Sequence, residues 1–326
     1  MRKTTIPGPL CITAAAILWS TSGLFIKFVD CHPVIIAGGR SLIAAVFLLS
    51  VRALFQNQNK KKNAHTNGAN VPPMSGWIRE WRRILGNKWV WYGGAAYAAT
   101  MILFVVANKL TISANVILLQ YSAPIWTALL AWAFLKERPL VRHWIGLVLA
   151  TGGLLLFFSG SLQAGVLIGN VVAVLSGIVF GATSVFMRMT RFRTDGTSAG
   201  TPADSMIVAH LLTALCMIPF LFTSPPELTT RSVLALLFMG VCQIGIASLL
   251  FSAGIVKVPA VSAMLIASIE PILNPVWVLL ATGEKPGPSA IVGGAIIISA
   301  VVISSLRFSR PHRGTLSPER HRGRTP

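Results

Sequence analysis

The composition of this 326-residue chain excludes a water-soluble domain. Hydrophobic residues account for 54% of the sequence and charged residues for only 11%, whereas soluble globular proteins carry about 25% charged residues. The mean hydropathy is +0.70. The formal net charge of +19 would suit a protein that binds nucleic acid, so the placement of the basic residues along the chain has to decide that question.

Apolar segments long enough to cross a hydrocarbon layer of about 30 Å recur along the whole chain. All are expected to be α-helices, because lipid offers no partner for unpaired backbone groups. The first is about 20 residues long and lacks a small-residue cleavage site, so it is predicted to be a helix and not a signal peptide. In chain order we predict ten spans: Leu10–Val29, Val34–Phe55, Trp89–Asn108, Ile112–Leu135, Val141–Ser159, Gly165–Met187, Asp204–Phe222, Ser232–Ala253, Val258–Ala281 and Ala290–Leu306.

Two polar segments lie outside these spans. The connector 56–88 begins with Gln56–Ser75, which is rich in Asn, Lys, Gly and Pro and is predicted to be a disordered cytoplasmic loop. Trp77 and Trp81 follow among arginines and predict a short interfacial helix. The basic tail 307–326 is predicted to be disordered and cytoplasmic, where it would be attracted to anionic membrane lipid.

The basic residues are distributed very unevenly across the predicted topology. With the amino terminus in the cytoplasm, 23 of the 28 lysines and arginines fall in cytoplasmic segments and four fall outside. Membrane proteins show this positive-inside bias. Both termini are therefore predicted to be cytoplasmic, in an inner or plasma membrane, and no specific nucleic acid is expected as a partner.

One sequence pattern occurs twice, 147 positions apart. Ala123–Pro139 reads APIWTALLAWAFLKERP, and Glu270–Pro286 reads EPILNPVWVLLATGEKP. Each is an apolar run that contains an early proline and closes with an acid, a base and a proline. A second match aligns Ile17–Lys27 with Ile178–Arg188, pairing Trp19 with Phe180.

The repeat divides the chain into halves of five spans, 1–160 and 161–306. An odd number of spans inverts the second half relative to the first. The fold class is thus predicted to be an all-α integral membrane protein with ten transmembrane helices in two inverted five-helix repeats. Duplicated, proline-interrupted spans are typical of secondary transporters.

These residues resemble the drug/metabolite transporter superfamily, EamA type. The matching motifs are AAAILWSTSGLFIK in the first helix, Arg40 in GGRSLIAA near the start of the second, LKERP and TGEKP at the ends of the fourth and ninth, and the Glu270–Pro271 pair. The resemblance covers residues 10–306 and implies ten helices in two inverted repeats, without naming a substrate. The sequence departs from the family in its long connector 56–88 and in His210, which occupies the position matching Arg40.

Glu270 is the strongest candidate for a functional residue. It lies about 12 residues into its span, hence about 18 Å deep at 1.5 Å per residue, close to the membrane midplane. A carboxylate there costs several kcal/mol unless it is paired, hydrated or protonated. We predict that Glu270 couples transport to protons. The alternative is a protonated Glu270 that bonds to a neighbouring helix.

Other polar or aromatic side chains interrupt the spans and are predicted to contact a small organic substrate. The alternative for each is packing or hydrogen bonding between helices. This set comprises Trp19, Thr21, Ser22, Asn115, Gln120, Tyr121, Gln243 and Asn274. Arg40 and His210 are predicted to be gate or structural groups near opposite faces, with bonding to backbone carbonyls favoured for Arg40 and packing for His210.

The sequence lacks a Walker loop, H-E-x-x-H and clustered metal-ligand spacing. No enzyme activity, metal or cofactor is expected, and active transport would run on an ion gradient. We expect a secondary transporter that exports a small polar or amphipathic metabolite, such as an amino acid, by alternating access, with a site among spans one, three, four, six, eight and nine. Facilitated diffusion or uptake of the same solutes stays open.

Two other classes of function compete with transport. A membrane-embedded enzyme or lipid-handling protein would use Glu270, His210 and Arg40 as an acid/base set and requires that the three converge. A scaffold or receptor that transports nothing would have a central cavity filled by side chains.

Overall fold

The computed structural model describes residues 6–26, 29–67, 82, 84–159, 166–192, 200–226, 229–282 and 287–305. These residues form helices and short connections, with no strand among them. The basic tail 307–326, Trp77 and Trp81 lie outside the described residues.

Besides the helical residues 82, 84 and 85, the described residues before position 160 include seven α-helices. They are α1 (Gly8–Ser20), α2 (Ser22–Ile26), α3 (Pro33–Asn67), α4 (Lys88–Leu110), α5 (Ser113–Gln120), α6 (Ala123–Leu130) and α7 (Val141–Phe158). A π-helical turn, Ala131–Leu135, extends α6.

Seven more α-helices follow. They are α8 (Leu167–Phe192), α9 (Pro202–Thr223), α10 (Thr230–Phe238), α11 (Ala247–Ile255), α12 (Ala260–Ala267), α13 (Glu270–Thr282) and α14 (Pro288–Ser305). The π-helical segment Met239–Ile246 joins α10 to α11 without a break.

Among the described residues, eight helical runs are long and apolar enough to cross a membrane, and they coincide with the first eight predicted spans. The last two predicted spans coincide with shorter apolar helices, Ala260–Leu273 and Pro288–Ser304. The described part of the chain is therefore that of a multi-pass membrane protein.

Two of the spans break beside a proline. α5 stops at Gln120 and α6 starts at Ala123, one residue before Pro124; α12 stops at Ala267 and α13 starts at Glu270, one residue before Pro271. Proline has no N–H to continue a preceding turn but is well suited to the first turn of a new helix. The prolines thus restart each helix and leave a two-residue turn in mid-span.

The structure differs from the sequence-based expectation in the connector after Phe55. α3 continues to Asn67, so residues 56–67 are helical, although the sequence predicts disorder there. This stretch has neither proline nor glycine, and its lysines, glutamines and alanine are favourable helix formers. Gly68, the first glycine after Phe55, comes directly after the helix end.

The helices pack in long antiparallel or crossed pairs. α4 packs along α8, α7 along α14, α9 along α3 and α4, and α1 along α11. The backbones of α7 and α14 approach closely: a Cβ added to Gly293 would lie 2.5 Å from the Phe157 nitrogen and 2.6 Å from the Gly153 oxygen. Small residues allow this approach, and dispersion contacts then hold helices together in lipid.

A buried cation and a carboxylate hold one end of the bundle together. The guanidinium of Arg188, at the end of α8, donates to the carbonyls of Ile255 and Val258 and forms an ion pair with Glu137. The other carboxylate oxygen of Glu137 accepts from the Ala260 nitrogen at 3.2 Å. Arg188 thus lies at the carboxyl end of α11 and Glu137 at the amino end of α12, where helix dipoles favour these charges. We call these groups the Glu137–Arg188 cluster.

Gly293→Ala should destabilise the fold, because the added methyl group meets the backbone of α7. Overpacking of this kind costs about 1–3 kcal/mol, so the melting temperature of the detergent-solubilised protein should fall by several degrees. Gly152→Ala is the matched control, since no atom lies within 4 Å of a Cβ at Gly152. Equal melting temperatures for the two variants would contradict the assigned contact.

Candidate functional site

A cavity of about 100 Å³ lies in the middle of the bundle. It is bounded by α1 to α5, the turn after α5, α8, the π-helical segment Met239–Ile246 and the start of α13. The predicted spans one, three, four, six, eight and nine all contribute, and the second span adds Arg40. Its lining residues are Trp19, Ser22, Arg40, Tyr97, Thr100, Met101, Phe104, Gln120, Tyr121, Phe180, Gln243, Ile244 and Glu270.

Seven of the eleven residues singled out from the sequence meet at this cavity. They are Trp19, Ser22, Arg40, Gln120, Tyr121, Gln243 and Glu270. Thr21, Asn115 and His210 do not line it. The Thr21 hydroxyl donates to the Leu18 carbonyl at 2.8 Å, within its own helix. Asn115 is buried in α5, and the side chain of Asn274 lies outside the described part of α13.

The two helix breaks place Tyr121 against Glu270. Tyr121 follows α5, Glu270 opens α13, and the phenol donates to the Glu270 carboxylate at 2.7 Å. The first turn of α13 also favours a carboxylate, because the amino end of a helix carries partial positive charge. Phe180 meets the Tyr121 ring edge-on at 6.4 Å between centroids. The breaks therefore create a fixed, oriented carboxylate in mid-membrane.

Arg40 faces the same cavity from α3. Its guanidinium interacts electrostatically with Glu270 and with Tyr97, yet Arg40 and Glu270, both described, form no direct ion pair. The Arg40 Nε is buried without a hydrogen-bond partner. The expected bonds from Arg40 to backbone carbonyls are not found among the described residues. Arg40 lies two helical turns inside α3, about 10 Å from Pro33, and therefore points to the bundle interior.

Two further polar atoms at the cavity have no hydrogen-bond partner in the described structure. Gln243 donates through Nε2 to the Trp19 carbonyl at 3.2 Å, which leaves its Oε1 buried and unpaired. The Trp19 Nε1 is likewise buried and unpaired, although its ring packs on Phe251 at 5.3 Å. Buried polar groups are normally hydrogen-bonded, so these two lining residues retain hydrogen-bonding capacity that the described protein atoms do not use.

Gln120 lines the cavity but also bonds helices together. Its Nε2 donates to the Ser176 hydroxyl at 2.9 Å, which donates in turn to the Thr100 carbonyl at 3.3 Å. This chain joins α5, α8 and α4. The alternative role weighed for such side chains, hydrogen bonding between spans, is therefore the one that Gln120 fills in this structure.

The three groups of the acid/base alternative do not form a mutual set. Glu270 bonds to Tyr121, whereas His210 bonds through Nε2 to the Ser248 hydroxyl at 3.1 Å. His210 does interact electrostatically with Arg40, so the two lie closer together than expected from the sequence. Among the described residues, no group of three or more His, Cys, Asp or Glu side chains could hold a metal ion.

The sequence reasoning missed six lining residues: Tyr97, Thr100, Met101, Phe104, Phe180 and Ile244. Phe180 could have been predicted to line the cavity, because the repeat aligns it with Trp19. Tyr97 is one of only three tyrosines in the chain and lies in mid-span. The others are ordinary residues of an apolar helix, and nothing in their spacing distinguishes a cavity face from a lipid face.

Apolar helices around a cavity that is lined by aromatic and polar side chains are typical of a membrane transporter. The model of the EamA-like transporter family matches residues 6–159 and 167–306, nearly the whole chain. The protein therefore belongs to the EamA-like transporter family, within the drug/metabolite transporter superfamily.

Relatives agree with this assignment. An uncharacterized transporter of Bacillus subtilis (strain 168), YwfM, is 27% identical over 245 residues, which cover 73% of this chain and 80% of the relative. An uncharacterized transporter of Archaeoglobus fulgidus is 22% identical over 251 residues, 72% of this chain and 84% of the relative. A solved crystal structure superposes with a TM-score of 0.67 over 91% of this chain and 96% of that one. At 18% identity it supports the fold alone.

Proposed function

We propose that this protein is a secondary transporter that exports a small polar or amphipathic metabolite, such as an amino acid, by alternating access. The observation that carries the proposal is the cavity where two broken helices hold Tyr121 against Glu270. Broken helices at the membrane midplane, with ionisable groups beside them, are the usual construction of a transport site.

Ten spans in two inverted repeats are part of the proposal. The spacing of helix starts supports them: α12, α13 and α14 begin 147 residues after α5, α6 and α7. Helix packing supports them as well. The repeat matches α4 with α10–α11, and α8 with α1. α4 packs along α8, and correspondingly α10–α11 packs along α1. The two shorter apolar helices would then serve as spans nine and ten.

The orientation follows from the charge distribution. With 23 of 28 basic residues on one side, the positive-inside rule favours cytoplasmic termini in a cell membrane. The Glu137–Arg188 cluster would lie at the cytoplasmic end. Because Glu137 belongs to the first half and Arg188 to the second, the cluster joins the halves there and supports a state closed toward the cytoplasm.

Proton coupling through Glu270 is the proposed source of energy. A carboxylate in this setting is tolerated when it is neutralised, and a proton or a positively charged solute would do so in turn. An exchanger of this kind carries protons one way and solute the other. Facilitated diffusion of the same solute is the competing mechanism, and it requires no change in the charge of Glu270.

Glu270→Gln should abolish acceleration of transport by a pH gradient while leaving solute exchange at equal pH detectable. In proteoliposomes, net flux driven by an imposed gradient should fall about tenfold or more, because the amide cannot release a proton. The measurement is uptake of labelled solute with and without the gradient. Asp30→Asn, which neutralises an exposed carboxyl group outside the spans, should behave as the parent. Unchanged pH dependence in Glu270→Gln would favour facilitated diffusion.

Arg188→Gln should loosen the cytoplasmic end, since it removes the cation that joins Glu137 to the end of α11. In a background where the four cysteines are replaced, Ser22→Cys provides a reporter in the cavity. A thiol reagent that cannot cross membranes, applied from the cytoplasmic side, should label the reporter several-fold faster in the Arg188→Gln variant. Arg138→Gln removes an exposed charge at the same end and is the control. Equal labelling rates would refute the closing role of the cluster.

A further inference from the structure

We infer that the cavity selects a zwitterionic solute, with Arg40 binding its anionic group and Glu270 binding its cationic group. This inference rests on the proposed function, because it requires that a solute enters the cavity. It assigns to Arg40 a role in charge selection that the sequence did not suggest.

The first observation is the separation of two opposite charges across one cavity. Arg40 comes from α3 and Glu270 from α13; both line the cavity and interact electrostatically, without a direct ion pair. Charges buried away from water are costly unless they are paired. An occupant that carries both complementary charges would pair both side chains at once. A singly charged solute would pair one and leave the other buried.

The second observation concerns the buried polar atoms without partners. Arg40 Nε and Trp19 Nε1 can only donate, so they require an acceptor such as a carboxylate. Gln243 Oε1 can only accept, and its orientation is fixed because Nε2 is already bonded to the Trp19 carbonyl. It requires a donor such as an ammonium group. The cavity therefore offers both kinds of hydrogen bond to one small molecule.

The third observation is how Glu270 is held. Tyr121 occupies Oε2 of the carboxylate, which leaves acceptor sites for a second partner, since a carboxylate has about four lone-pair sites. An ammonium group and a proton neutralise the same carboxylate, so each excludes the other. A zwitterion on Arg40 and Glu270 would thus displace one proton, which gives one-for-one exchange without a separate proton site.

Aromatic side chains give the cavity an apolar surface as well. Trp19, Phe104 and Phe180 line the cavity with Tyr97. Such rings suit the hydrocarbon part of a solute and can also face an ammonium group. A volume of about 100 Å³ limits the occupant of this conformation to a small molecule. The class that fits is a small zwitterion with an apolar side chain.

The test compares molecules that differ only in charge. Leucine carries both charged groups, 3-methylbutylamine lacks the carboxylate, and 4-methylpentanoate lacks the ammonium; valine and glycine with their amine and acid counterparts extend the series. Counterflow in proteoliposomes and thermal stabilisation in detergent are both measured. A zwitterion should exceed its amine and its acid by about tenfold or more in apparent affinity, the size of one lost charge-assisted hydrogen bond.

Two variants test which side chain binds which charged group of the solute. Arg40→Gln should reduce binding of the zwitterion about tenfold and leave the amine unchanged, whereas Glu270→Gln should reduce the zwitterion and leave the acid unchanged. Arg231→Gln, an exposed cation at the start of α10, is the control for loss of positive charge. Since the charge series uses the unaltered protein, the inference stays testable if Arg40→Gln does not fold.

The outcomes separate this inference from the proposed function. If the amine or the acid binds and exchanges as well as the zwitterion, the inference is overturned and transport stands. The inference is likewise overturned if Arg40→Gln folds and keeps full affinity for the zwitterion. If no member of the series binds or exchanges while another solute class does, zwitterion selection is wrong. Failure of every solute to exchange would instead overturn the proposed transporter.

Discussion

A hydrocarbon layer offers a polypeptide no hydrogen-bond partner, and most of this structure follows from that constraint. Backbone groups are satisfied within helices, and polar side chains turn inward to bond with one another. Gln120, Ser176 and the Thr100 carbonyl form such a chain. Two of the inward-facing polar groups that have no protein partner, those of Trp19 and Gln243, belong to residues that line the cavity. The same rule that makes the chain helical thus indicates where a solute can be held.

At the two breaks beside prolines, the backbone groups are no longer all hydrogen-bonded within a continuous helix. At Tyr121–Ser122 and at Ser268–Ile269 the chain leaves the helical path in mid-span. Irregular backbone is tolerated at that depth when it lies against protein or a cavity. Because the breaks lie side by side, a phenol from one meets a carboxylate from the other. The geometry of the site therefore depends on two prolines that do not themselves line the cavity.

The apolar spans and the helix-breaking prolines could be predicted from the sequence, whereas the direction in which each side chain points could not. The spans follow from apolar length, and the depth of Glu270 follows from counting residues. Thr21 and Trp19 are close in sequence, but only Trp19 lines the cavity, because the turn after α1 lets Thr21 bond to Leu18. Tyr97 was missed because the inward face of an all-apolar helix is set by its neighbours. The contact of Arg40 with the cavity was not predicted, because the direction of its side chain depends on how α3 packs against its neighbours.

The two halves differ in structure at the two π-helical segments. Residues 278–282 and 92–99, which lie 147 positions from Ala131–Leu135 and Met239–Ile246, are α-helical. A π turn holds more residues than an α turn and changes the direction of the side chains beyond it. In an inverted repeat with identical halves, the inward- and outward-facing states would have equal energies. Under the proposed alternating access the two halves of this protein are not identical, so one of its two states would be preferred at rest. Its affinity for solute, measured from the two faces of the membrane, would then be unequal even when no gradient is applied.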